Sequence, residues 1–407
     1  MTDSVLVTGI GIVTGLGIGK NNTLRALQNE QSNIAEVRYL QTVHKELPVS
    51  EVPLTNEQMC DLLGIAKEEI CPRTALLGRI ALREALQDAR LSDKQPKRIA
   101  FISGTTVGGM DKSEQYYSDF LSNNTKNQYI EAHDCGATTD LIAKEYDGVF
   151  DVMTTISTAC SSAANAVVLG ANLIKTGRVD VAVVGGSECL SKFHFNGFNT
   201  LMILDKQPCR PFDSTRAGLN LGEGAAFLVI ESEKSVRERG IIPICKLSGY
   251  ANTCDAFHQT ASSPNGEGAF LAMSKALEQS NLQPKDIDYI NAHGTGTENN
   301  DATEGIAIMR VFGEDIPAVS STKSFTGHTT SAAGSVESVI SILALQHNFI
   351  PINLNFSEKM PELSFTPKKA DNTHSNKQLQ HVLTNSFGFG GNDTCLIFSK
   401  ILNYDLN

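Results

Sequence analysis

The feature that most constrains the fold of this chain is a rhythm. Short apolar, β-branched runs alternate with longer stretches whose apolar residues recur at helical spacing, and the alternation occurs twice. In the first pass Ser4–Val13, Arg98–Ser103, Asp151–Thr158, Val179–Val184 and Asn220–Ile230 read as strands, with Asn21–Gln28, Pro72–Ala89 and Cys160–Thr176 as helices between them. In the second, Pro243–Ala251, Ile287–Ala292, Val319–Ser321, Val382–Ser386 and Thr394–Phe398 read as strands, and Gly268–Gln279, Glu304–Phe312 and Ser331–Leu345 as helices. The alternation of strand, helix and parallel strand is that of α/β layers. Two such passes meeting near residue 235 predict a duplicated α/β/α/β/α five-layer sandwich with halves 1–235 and 236–407. Gly109–Asp151 is polar and irregular and is expected to be a helical excursion over the mouth of the site. Lys359–Gln380, rich in Lys, Asn, Pro and Ser, is expected to be an exposed loop.

Composition narrows the function. With 407 residues, 41% of them hydrophobic, the chain can bury a large core. A net charge of −11 excludes bulk nucleic-acid binding, which needs a basic footprint, but leaves room for a local basic patch facing an acidic protein. Nine cysteines form no CxxC pair and are odd in number, so reduced thiols are expected, not a disulfide framework or a zinc site. The start MTDSVLVTGIGIV lacks a basic leader region, and no apolar stretch reaches the ~18 residues of a membrane span. A soluble, cytoplasmic protein is expected, with no membrane insertion.

Four segments carry chemistry. In Thr158-Ala159-Cys160-Ser161-Ser162-Ala163 a cysteine stands at a strand end and opens a helix of small residues. A helix N-terminus favours a thiolate and lowers its pKa; the alternative is a buried structural thiol. Asn291-Ala292-His293-Gly294-Thr295-Gly296-Thr297 sets an imidazole and two hydroxyls in one loop, or else a histidine satisfied by backbone. Lys323-Ser324-Phe325-Thr326-Gly327-His328 leads into a small-residue helix with Glu337; Lys323 and His328 share one pocket or are solvated at a helix start. Asn385-Ser386-Phe387-Gly388-Phe389-Gly390-Gly391-Asn392 frees backbone N–H groups for an oxyanion, or is a plain glycine turn. A fifth segment, Thr8–Gly15, suggests a dinucleotide loop, but its spacing is GxGxxxG and no acidic residue ends a second strand ~20 residues on.

Together, from VLVTGIGIVTGLG through ACSSA, GGSE, RPFD, GEGAA, HGTGT, KSFTGH and SFGFGG, the chain resembles the elongating β-ketoacyl-[acyl-carrier-protein] synthases over nearly its whole length. These are condensing enzymes of the thiolase fold. The resemblance implies a decarboxylative Claisen condensation of malonyl-carrier protein with an acyl chain held as a thioester on Cys160, as in 3-oxoacyl-[acyl-carrier-protein] synthase II. It implies that His293 and His328 promote decarboxylation and stabilise the enolate, with no task at the thiol. The N–H groups of Cys160 and Phe389 would form the oxyanion hole. Lys323 would order the site, Glu337 support it, Thr295 and Thr297 bind the phosphopantetheine arm, and Val107 and Phe389 gate the acyl pocket. Initiating synthases carry Asn for the second His, chain-length-factor relatives lack the nucleophile, and degradative thiolases place a second Cys where Phe389 stands.

No metal is implied, and no cofactor beyond the phosphopantetheine of the carrier protein. The implied partners are acyl carrier protein and a second copy of the chain, paired through strand Val179–Val184; a heterodimer with a related chain stays open. Candidate docking residues for the carrier are Lys67, Arg73 and Arg79, and Lys206 with Arg210. The chain departs from the family at Glu298-Asn299-Asn300-Asp301, in a short Leu204–Arg210 loop, at His328-Thr329-Thr330-Ser331 and at Gly390-Gly391-Asn392-Asp393. These surround the entrance, so a ketosynthase of a polyketide or of an aryl-polyene or flexirubin-type pathway, working with a chain-length-factor-like subunit, is the alternative.

Overall fold

The structure is a computed structural model that describes residues 4–66, 69–91, 98–122, 127–370 and 378–401. Lys67 and part of the expected loop 359–380 lie outside the described residues.

Ten strands make the frame. In the first half they are β1 (Val5–Thr14), β2 (Ile99–Gly104), β3 (Val152–Ile156), β4 (Val181–Glu188) and β5 (Gly224–Ser232). In the second they are β6 (Cys245–Cys254), β7 (Tyr289–Asn291), β8 (Ala318–Ser320), β9 (His381–Gly388) and β10 (Asn392–Ser399). β1, β4 and β5 are buried at every position, which explains why they read as unbroken apolar runs: helices cover both of their faces.

The lateral orders repeat. The first half runs β1-β5-β4-β2-β3 and the second β6-β10-β9-β7-β8. In each, two antiparallel ladders are followed by two parallel ones. The two sheets join where β1 pairs antiparallel with β6, Val5 opposite Leu247 and Val7 opposite Cys245. Strand for strand, one half is a copy of the other.

Helices complete the layers. α1 (Arg73–Asp88) covers β1, β5 and β4 on one outer face. α2 (Ser162–Lys175) and α7 (Ala333–His347) pack on each other between the halves. α3 (Lys192–Thr200) follows β4. α4 (Glu267–Ser280) covers β6 and β10 on the other outer face, with α5 (Glu298–Phe312) against it. α6 (Lys323–Thr326) is a single turn. This is the thiolase-like sandwich. Among the described residues no helix is long and apolar enough to cross a membrane.

Two glycines explain the segment that suggested a dinucleotide loop. A Cβ on Gly9 would sit 2.5 Å from the Ala85 carbonyl oxygen, and one on Gly11 would sit 2.1 Å from that of Ala81. They are glycines so that β1 can lie directly on α1. Their neighbours' N–H groups are satisfied there: Ile10 donates to Asp88 and Ile12 to Glu84.

One expectation is overturned. The strand at Val181–Glu188 cannot pair with a second copy, because β2 and β5 occupy both of its edges. The free edge of the first half is β3, which among the described residues pairs only with β2.

Candidate active site

Cys160 sits in the turn between β3 and α2. The preceding residue, Ala159, has φ of 51°, a left-handed conformation costly for a non-glycine residue. Local bonds over-determine the turn: Thr158 N–H donates to Ser162 Oγ (2.9 Å), and the Ser161 and Ser162 hydroxyls donate to the carbonyls of Thr158 (2.7 Å) and Ala159 (2.6 Å). The other half holds it too. Asn392 Oδ1 accepts from Ser161 Oγ (2.8 Å), Asn165 Nδ2 (2.6 Å) and Asn252 Nδ2 (2.7 Å).

The helix does not activate this thiol at rest. α2 starts at Ser162, two residues beyond Cys160, and the thiol is buried. Burial pushes it up to about 12, with Glu188 and Glu337 adding to the rise and Lys323 opposing it. The lowered pKa expected from the sequence is not found: burial of the thiol raises it.

His328 Nε2 lies 3.0 Å from Cys160 Sγ. Its backbone N–H donates to the Asn220 carbonyl (2.8 Å), and among the described residues its Nδ1 has no hydrogen-bond partner. His293 stands across from it, ring centroids 5.3 Å apart and edge-on. The Glu304 carboxylate holds the His293 loop by accepting from the N–H of His293 (2.8 Å) and of Gly294 (2.7 Å). Lys323 Nζ donates to His293 Nδ1 (3.2 Å), to the His293 carbonyl (2.5 Å) and to Glu337.

Lys323 fixes a tautomer. An ammonium has no acceptor, so the His293 nitrogen facing it carries no proton. The proton of neutral His293 is then on Nε2, as a donor. Both imidazoles are held well below the ordinary histidine range, first by burial and then by Lys323. Glu337 is raised to about 7 by burial, against the pull of Lys323.

The cavity over these groups has a volume of about 390 Å³. Cys160, His293 and His328 line it together with Thr295, Thr297 and Phe389. Thr295 and Thr297 share a hydroxyl hydrogen bond of 2.9 Å. Gly388 abuts the nucleophile's turn: a Cβ there would meet Thr158 O at 2.8 Å and Cys160 N at 3.3 Å. Phe389, the next residue, stacks on Phe198 at 6.0 Å. Lys323 and Glu337 lie behind the imidazoles, 1% and 2% exposed. Val107 is buried but does not line the cavity, and among the described residues the excursion 109–151 contributes no lining residue, contrary to expectation.

The docking candidates fare unevenly. Arg73 is buried against Glu223 at 2.5 Å, and Arg79 is held by Glu145 at 3.1 Å, so neither is free for a partner. Arg210 pairs with Asp205 at 2.9 Å, while Lys206 is exposed. Glu304 and Asn220 escape the sequence reading, and Asn392 enters it only as the end of the glycine-rich segment. Each acts by holding a loop, and no residue pattern marks that task.

The chain matches the model of the β-ketoacyl synthase N-terminal domain over residues 2–235 and that of the C-terminal domain over residues 244–357. It is 30% identical to 3-oxoacyl-[acyl-carrier-protein] synthase 2 of Mycobacterium bovis, over 97% of both chains. Among solved structures it is similar to the ishigamide ketosynthase/chain length factor (28% identity, TM-score 0.88, covering 99% of this chain and 100% of that one). It is also similar to the ketosynthase ApeO in complex with its chain length factor ApeC from Xenorhabdus doucetiae (30% identity, TM-score 0.81, 98% of both chains).

Proposed function

The chain belongs to the β-ketoacyl synthase family, and from that premise we propose that it joins an acyl group held on Cys160 to a malonyl unit, each brought by acyl carrier protein. The observation that carries the reading is the opposed setting of two neutral imidazoles around one thiol. His328 Nε2 faces the sulfur, and Lys323 turns the His293 proton to Nε2.

His328 takes the Cys160 proton as the sulfur attacks the acyl thioester. The carbonyl oxygen is held by the N–H groups of Cys160 and Phe389, and the departing pantetheine sulfur recovers the proton. The malonyl thioester then loses CO₂, and the electron pair of the broken C–C bond becomes an enolate whose oxygen accepts from His293 Nε2–H. The enolate carbon attacks the acyl carbonyl on Cys160, and the sulfur leaves and is reprotonated. One solvent proton is consumed per turnover. Covalent capture thus splits one hard bond formation into two easier steps.

Intact-mass measurement after incubation with acyl-carrier protein tests the reading. The wild-type chain is expected to gain one acyl group and Cys160→Ala none; an adduct on another cysteine in Cys160→Ala refutes it. A dimer through the free edge at β3 accompanies the proposal, as does docking of the carrier near Lys206. The alternative, a polyketide or aryl-polyene ketosynthase with a chain-length-factor-like partner, is supported by the names of the two structural neighbours. Purification with such a chain at one-to-one stoichiometry would select it.

A further inference from the structure

Glu188 ends β4, is fully buried and accepts hydrogen bonds from five donors. Four come from the loop after β2, and the first three are Thr105 Oγ1 (2.9 Å), Thr106 Oγ1 (2.5 Å) and Thr106 N–H (2.8 Å). The fourth is Val107 N–H at 3.1 Å. The fifth is Ser331 Oγ, in the turn that follows His328. That turn is itself strained, with Thr330 at φ of 44°.

The network reaches the mouth of the cavity. Thr106 Oγ1 is 3.5 Å from His194 Nε2, the His194 ring meets Phe198 edge-on at 6.0 Å, and Phe198 stacks on Phe389. One carboxylate is therefore connected to the loop bearing Val107, to the turn bearing His328, and through two rings to the residue at the cavity wall. In the second half Glu304 does a matching job, holding the loop after β7, the strand equivalent to β2, by the N–H groups of His293 and Gly294.

We propose that Glu188 is a positioning residue that couples the cavity wall at Phe389, through Thr106, His194 and Phe198, to the placement of His328 against Cys160. It touches neither the thiol nor the substrate. The carboxylate suits the task because all five of its partners are donors; an amide in its place turns an NH₂ group toward some of them and loses bonds on that side. The negative charge also bears on the thiol, where Glu188 and Glu337 push the Cys160 pKa up against Lys323.

The inference rests on the condensing activity, but part of its test does not. Alkylation of Cys160 by iodoacetamide as a function of pH reads the thiol without any condensation. In Glu188→Gln the alkylation profile is expected to shift to lower pH. Ser331→Ala cuts only the tie to the His328 turn, and is expected to slow condensation roughly tenfold while the preferred acyl length is unchanged. Thr106→Val removes one of the four bonds that Glu188 accepts from the loop together with the contact to His194, and is expected to raise KM for long acyl chains with kcat for short ones unchanged. If both side variants match wild type and Glu188→Gln only lowers Tm, with its alkylation profile unmoved, Glu188 merely supports the fold and the proposal falls. If the Glu188→Gln alkylation profile shifts as expected but neither that variant nor wild type condenses, the proposed function fails and the action of Glu188 on the thiol stands.

Discussion

Replacing His328 by alanine should expose how much of the nucleophile's reactivity is borrowed. The Cys160 thiol is pushed up to about 12 from an ordinary 9.0. Unaided, about one sulfur in 10⁵ would be ionised at pH 7, against about one in 10² for the ordinary thiol, a handicap of about 4 kcal/mol. His328 Nε2, 3.0 Å from the sulfur, is placed to remove the proton during attack. A positioned general base supplies about 10²–10⁴ in rate, so acyl loading in His328→Ala should fall by that factor. Its loading rate should then climb about tenfold per pH unit between pH 7 and 10, while the wild-type rate stays flatter. His293→Ala should load within a few-fold of wild type, yet lose about 10²–10³ in malonyl decarboxylation, the value of one oxyanion donor. Single-turnover mass spectrometry of the acyl-enzyme and CO₂ release from malonyl-carrier protein read the two steps separately. Wild-type loading by His328→Ala would refute the assignment of the proton to that imidazole and restore the view that both histidines act on the enolate alone.

Other outcomes follow from particular contacts. Asp393 is raised to about 8 by burial, then by Asp255 and Glu304. A carboxyl that holds its proton more tightly when folded costs stability as pH rises from about 4 to about 8, so Asp393→Asn should raise Tm at pH 8–9 and leave it nearly unchanged at pH 4. Gly388→Ala places a methyl 2.8 Å from Thr158 O and should abolish acyl loading while the melting transition persists. Met153, 45% exposed on the free edge strand β3, should be a dimer contact; Met153→Arg should yield a monomer by light scattering, and an intact dimer would place the interface elsewhere.

The motif residues were legible because chemistry restricts them: Cys160, His293, His328 and Phe389 meet at one cavity, with Lys323 and Glu337 behind. What misled was whatever depends on lateral or long-range neighbours. Val179–Val184 reads as a fine strand, but its apolar run says nothing of the two strands beside it, which come from residues 99–104 and 224–232. Arg73 looks like surface charge until Glu223, distant in sequence, is seen against it. The thiol's electrostatics depend on where the helix begins, and the start at Ser162 differs from the expected one by two residues, enough to leave Cys160 outside it. Asn392 and Glu188 do their holding across elements, which no local pattern records.

The lateral strand order sets a timetable for synthesis. β10 is the last strand in the sequence, yet it lies between β9 and β6, far from either rim. The second sheet must therefore keep a slot open until residue 399 has left the ribosome, whereas the first can zip shut once residue 232 is out. Half of the molecule waits, with β9 and β6 each open along one side, for residues 392–399. Chains stalled before residue 392 would then be sticky intermediates with an open slot in the second sheet, and the need for a chaperone should persist until that strand is made.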